Sequence, residues 1–122
     1  DSGVVAIGLS LGRFIKLKTL KLGGNYIGLT KDAGTVALGQ SLANCTDLTY
    51  LDLSGNRYIG STGEQGITTL GQALSNLLFL TYLNLAFNGI GLAGDAGTVA
   101  LGQGLQYLKR LSYLNLANNY VG

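Results

Sequence analysis

Three tyrosines, Tyr50, Tyr82 and Tyr113, recur at successive intervals of 32 and 31. Two positions after each stands Asp52, Asn84 or Asn115. A tyrosine offers a flat apolar ring and a hydroxyl at low entropic cost, which suits it to recognition at interfaces. Catalysis has far less raw material. Histidine, the commonest general base and metal ligand, is absent. The six acids, Asp1, Asp32, Asp47, Asp52, Glu64 and Asp95, are spread along the chain with no pair at motif spacing. No G-x-x-x-x-G-K run cradles a phosphate, and a serine or cysteine nucleophile would lack its base. The composition therefore predicts a non-catalytic chain with no cofactor and no metal.

The elements that position the tyrosines are repeated. The string DAGTVALGQ stands at 32–40 and again at 95–103, with a weaker match at Gln65–Gln72 between them. Gly3, Gly34, Gly66 and Gly97 are spaced 31, 32 and 31 apart. Leu20, Leu51, Leu83 and Leu114 keep the same spacing, and so do Asn25, Asn56, Asn88 and Asn119. Three landmarks in one register define four units, 1–28, 29–60, 61–91 and 92–122. The exact copy, offset by two units, marks a pair of units as the duplicated piece. Such arrays build extended surfaces, and each unit depends on its neighbours for a core.

Each unit has two halves. The first places apolar residues at i, i+4 and i+7, as in Leu38, Leu42 and Cys45, which marks one face of a helix. Asp32, Glu64 and Asp95 precede these helices and are expected to cap them. The recurrent glycine, Gly8, Gly39, Gly71 and Gly102, disfavours a helix and so suggests close approach of a neighbouring element. The second half, L-x-x-L-x-L-x-x-N, alternates with period two and predicts a short strand burying its leucines. Helix and strand repeated in phase give a parallel sheet with helices on its outer side.

Leu48 to Asn56, followed by Ile59-Gly60 and a helix, resembles the leucine-rich repeat, specifically its ribonuclease-inhibitor-like subclass, and the resemblance spans all four units. It implies an α/β solenoid with a curved parallel sheet on the concave face and helices on the convex face. It also implies a ladder of Asn25, Asn56, Asn88 and Asn119, and a role in protein–protein interaction. The units are longer than the family's usual one. The surplus lies after the Ile-Gly pairs, and the second unit carries one further residue near Arg57-Tyr58.

With the leucines turned inward, the alternate positions form columns on the sheet. The first is Thr19, Tyr50, Tyr82 and Tyr113. The second is Lys21, Asp52, Asn84 and Asn115, and the third is Gly23, Ser54, Ala86 and Ala117. A fourth position holds Gly24, Gly55, Phe87 and Asn118. Tyr50, Tyr82, Tyr113, Lys21, Asp52, Asn84, Asn115 and Phe87 are the candidates for partner contact. The rival reading is a structural stack in a scaffold, since neighbouring rings stabilise a sheet by themselves.

Net charge is +2, and no apolar run is long enough to span a bilayer, which points away from nucleic acid and from a membrane. Cys45 falls at a core position, and the sequon at Asn44 reads as a coincidence beside it. The lone cysteine and the lack of a leader favour a cytoplasmic setting. The last unit carries Leu101, Leu105, Leu108, Leu111, Leu114 and Leu116, more apolar surface than a bare end tolerates. The expectation is a piece of a longer solenoid, or head-to-tail stacking of copies.

Overall fold

Leucines at every second position, with no proline to interrupt the ladder, produce four short strands. The computed structural model describes residues 16–120 and, before them, Gly3, Ala6, Ile7, Ser10 and Arg13. In chain order the elements are β1 (Thr19–Lys21), α1 (Ala33–Leu42), β2 (Tyr50–Asp52), α2 (Glu64–Leu74), β3 (Tyr82–Asn84), α3 (Asp95–Leu105) and β4 (Tyr113–Asn115). Most of the helix expected in the first unit, including Gly8, and the Val121-Gly122 pair fall outside the described residues.

The sheet is parallel throughout, ordered β1-β2-β3-β4. Thr19 pairs with Tyr50, Tyr50 with Tyr82 and Tyr82 with Tyr113, and the leucine and polar columns pair in the same register. Each strand is only three residues long, shorter than the stretch of alternation that predicts it. Backbone pairing nevertheless continues beyond it, with Leu53 N–H donating to Asn84 O at 2.9 Å and Gly55 N–H to Ala86 O at 2.8 Å.

Between sheet and helices lies one core. Leu51, Leu53, Leu83 and Leu85 from the sheet side meet Leu38, Leu42, Ile67, Leu70, Leu74 and Leu101 from the helices. Burying each leucine fully is worth about 1.5–3 kcal/mol, so the alternation alone commits the leucine face inward. Cys45 belongs to this core; burial pushes its thiol pKa up. Helices need more lateral room than strands spaced about 4.8 Å apart, so the helices take the outer, convex side. Glycine narrows that difference. A Cβ on Gly71 would stand 2.5 Å from Ala100 O, and one on Gly39 2.9 Å from Thr69 Cγ2. The recurrent glycine is thus a notch that seats the next helix.

The expected acidic caps are not made. Asp32 occupies the cap position of α1 but forms no side-chain capping bond. Glu64 and Asp95 lie inside the first turns of α2 and α3, and Gly63 and Gly94 precede them. The Asp32 carboxylate instead accepts a hydrogen bond from Thr62 Oγ1 at 3.3 Å and lies against Gly63. What remains of the expectation is the favourable placement of negative charge near a helix N-terminus.

Candidate functional site

The asparagine column locks the turn that ends each strand. Asn56 Oδ1 accepts the Asn25 N–H at 2.8 Å and the Ile27 N–H at 3.1 Å, while its Nδ2 donates to Leu22 O and Leu53 O, both at 2.8 Å. One unit on, Asn88 Oδ1 accepts the Asn56 N–H at 2.9 Å, and Asn119 Oδ1 accepts the Asn88 N–H at 2.8 Å. Asn56, Asn88 and Asn119 are buried; Asn25 is exposed. A side-chain amide supplies both a donor and an acceptor, so it can satisfy backbone groups of two units as the chain leaves the sheet.

Registered strands bring the tyrosines face to face. The Tyr50 and Tyr82 ring centroids are 4.0 Å apart with planes 4° from parallel, and those of Tyr82 and Tyr113 are 4.3 Å apart at 2°. Lys21 Nζ lies 5.3 Å from the centroid of Tyr50 at the far end of the row. Tyr82 is thus stacked on both faces, which leaves its ring edge and hydroxyl open for contact. Hydrogen bonding to Tyr50, with desolvation and the Tyr50 charge adding, pushes the Tyr82 hydroxyl pKa up, against smaller downward effects of Tyr113 and Asn84.

The second column is divided between the surface and the fold. Asp52 Oδ1 accepts from Ser54 N–H at 2.9 Å and Ser54 Oγ at 2.7 Å. Asn84 Oδ1 accepts from Ala86 N–H at 3.1 Å, and Asn115 Oδ1 from Ala117 N–H at 3.0 Å. These Asx turns commit one oxygen of each residue to the strand exit. On the other side Asn115 Nδ2 donates to the Tyr113 hydroxyl at 3.4 Å, tying the amide column to the tyrosine row. An Asp or Asn two positions before a backbone N–H was the sequence signal for these turns.

Phe87 does not join the tyrosines. It lies in the turn after β3 and, with Arg57, Leu92, Asn118 and Tyr120, lines a separate cleft of about 610 Å³. Its φ is +59°, and Asn118 at the same repeat position has +58°. Gly24 and Gly55, both at φ +71°, show what that backbone asks for. The left-handed region costs a residue with a side chain roughly 1–2 kcal/mol. One position after the ladder asparagine, Tyr26 and Tyr120 are likewise left-handed at +57°.

A second row of hydroxyls edges the sheet. Thr49, Thr81 and Ser112 donate to the backbone carbonyls of Lys18, Thr49 and Thr81 at 3.2, 3.1 and 3.0 Å. Beside them the Arg110 guanidinium lies over Phe79, 4.7 Å from the ring centroid. Among the described residues no group of three or more acids, cysteines or histidines is placed to hold a metal ion, and no helix is long and apolar enough to cross a membrane.

A parallel sheet paired in register, an asparagine ladder and, among the described residues, a helix in each of the second, third and fourth units define the architecture. A family model described as a leucine rich repeat matches residues 44–67 and 76–101. The two matched stretches are leucine-rich repeats. The fold is accordingly a leucine-rich-repeat solenoid. Leucine-rich repeats generally mediate protein–protein interaction and are generally non-catalytic. No curated protein and no solved structure gives a significant match to the chain.

Proposed function

We propose that the chain is a non-catalytic protein-binding module of the ribonuclease-inhibitor-like kind, and that its partner docks on the exposed sheet face along Tyr50, Tyr82 and Tyr113. The observation that carries this is the tyrosine row itself. Three rings are held in fixed register, their edges and hydroxyls turned outward beside the amides of Asn84 and Asn115 and the carboxylate of Asp52. Such a row is preorganised, so a partner need not order it on binding. Lys21 at one end adds a cation, and the amide column supplies hydrogen bonds without a strong charge.

The competing reading is a scaffold whose tyrosines serve only the sheet, favoured by the 4.0 and 4.3 Å ring contacts. Tyr82→Thr separates the two, because Thr19 already occupies that column in the first unit. Docking predicts an affinity loss of about 2 kcal/mol or more for a hot-spot tyrosine with a melting temperature close to that of the parent. A scaffold predicts unchanged affinity with a lowered melting temperature. Tyr82→Phe then asks whether hydroxyls contribute: docking through the hydroxyl edge predicts a partial loss.

A further inference from the structure

We propose that the cleft between Phe87 and Tyr120 is a second docking site, separate from the tyrosine row, and that it takes an acidic peptide segment. One aromatic or aliphatic side chain of the segment enters the cleft, and a neighbouring carboxylate meets Arg57.

The walls are apolar and open. Phe87, Leu92 and Tyr120 are 57%, 55% and 72% exposed and line one depression of about 610 Å³. That volume falls in the range of ordinary ligand pockets, and clustered exposed apolar side chains mark interaction sites more often than scattered ones do. The fold itself gives no reason for the two rings. Phe87 stands where two sister units have glycine, and Tyr120 where the third unit has Gly89, at backbone angles that favour glycine. Neither ring is buried by this chain, so neither recovers through packing what its backbone costs.

Charge selects the occupant. Arg57 is exposed and enters through the turn of the second unit, which is longer by one than its sisters. No acidic residue lines the cleft, and among the described residues none forms an ion pair with the Arg57 guanidinium. The Arg57 carbonyl accepts Ser61 Oγ at 3.2 Å, which anchors the turn and leaves the side chain out. A guanidinium beside aromatic walls matches a carboxylate in a two-bonded fork. A polynucleotide would need several cations, and this cleft has one. Asn118 offers an amide to the peptide backbone.

The test uses acetylated, amidated heptapeptides titrated into the isotope-labelled chain and followed by amide NMR. One probe has a central phenylalanine flanked by aspartates, a second the same phenylalanine flanked by lysines, and a third a central alanine flanked by aspartates. The proposal expects the first to shift the amides of Arg57, Phe87, Gly89 and Asn118 saturably. The other two should bind at least tenfold more weakly, a difference of about 1.4 kcal/mol. Arg57→Glu should invert the preference between aspartate and lysine flanks. Phe87→Asn keeps the left-handed turn, as Asn118 does, and should weaken the first probe about tenfold with an equal or higher melting temperature. Tyr82→Thr should leave these shifts unchanged, so failure of the sheet-face reading leaves this site standing. Equal binding of aspartate- and lysine-flanked probes, shifts confined to the tyrosine row, no saturable shift at millimolar peptide, or a fall in melting temperature for Phe87→Asn would overturn the proposal.

Discussion

Replacing Asn56 by alanine probes how successive units are joined. The side chain is fully buried and makes four hydrogen bonds, two donated to Leu22 O and Leu53 O and two accepted from Asn25 and Ile27 N–H. Alanine leaves all four backbone groups without that partner. Leu22 is only half-buried and Asn25 is exposed, so water can replace those two bonds. Leu53 and Ile27 are buried, and each orphaned group there costs about 1–3 kcal/mol. The expected loss is about 3–5 kcal/mol, a large share of the roughly 5–15 kcal/mol that a domain possesses. Asn25→Ala is the matched control. That residue is exposed and its Nδ2 donates to Gly23 O at 3.1 Å, so its loss should stay below about 1 kcal/mol. Urea denaturation followed by far-ultraviolet circular dichroism measures both, with a common slope expected for equal surface exposure. Losses for the two variants within about 1 kcal/mol of each other would refute the reasoning, because burial of the ladder would then not decide its worth.

Gly71→Ala and Gly102→Ala should move stability in opposite directions. A Cβ at 71 would meet Ala100 O at 2.5 Å, whereas one at 102 meets nothing within 4 Å and should gain up to about 1 kcal/mol of helix propensity; thermal unfolding reads both. Thr35 Oγ1 is buried and lacks a hydrogen-bond partner among the described residues, so Thr35→Val should stabilise by about 1 kcal/mol. Thr98, its counterpart in the second copy, donates to Gly94 O at 3.4 Å, and Thr98→Val should bring no gain in the same denaturation assay. Because the Tyr82 pKa is raised, its hydroxyl holds its proton longer as pH climbs. Spectrophotometric titration should show a late-ionising tyrosine that disappears in Tyr82→Phe. Cys45, buried and with its pKa raised, should resist alkylation near neutral pH until urea unfolds the chain.

The columns on the sheet were legible because counting suffices. In a parallel sheet with units of nearly constant length, equal repeat position means equal height, and Tyr50, Tyr82 and Tyr113 therefore stack. The recurrent glycine was legible for the same reason: a residue that disfavours a helix and yet returns in every unit points to something close beside it. The helix starts were not. Acids at Asp32, Glu64 and Asp95 fit a cap by type, but a cap depends on backbone angles at one residue, and in two units Gly63 and Gly94 take that place. Phe87 was grouped with the tyrosines by its nearness to the strand, although the chain has already turned by then. Glycines in its sister positions, Gly24 and Gly55, carried the clue to a left-handed turn that leads the ring elsewhere. The inserted residue near Arg57 was visible, but its consequence, a cation beside an apolar cleft, needed the geometry of the turn.

The most direct test of the account is site-specific photo-crosslinking of the chain in the lysate of its source cells. A benzoyl-phenylalanine replaces Tyr113 on the exposed sheet in one sample, and Val99, exposed on α3, in the other. A partner docked on the sheet predicts a discrete adduct from position 113 and none from position 99. Adducts from position 99 alone would contradict it and move the function to the helical side.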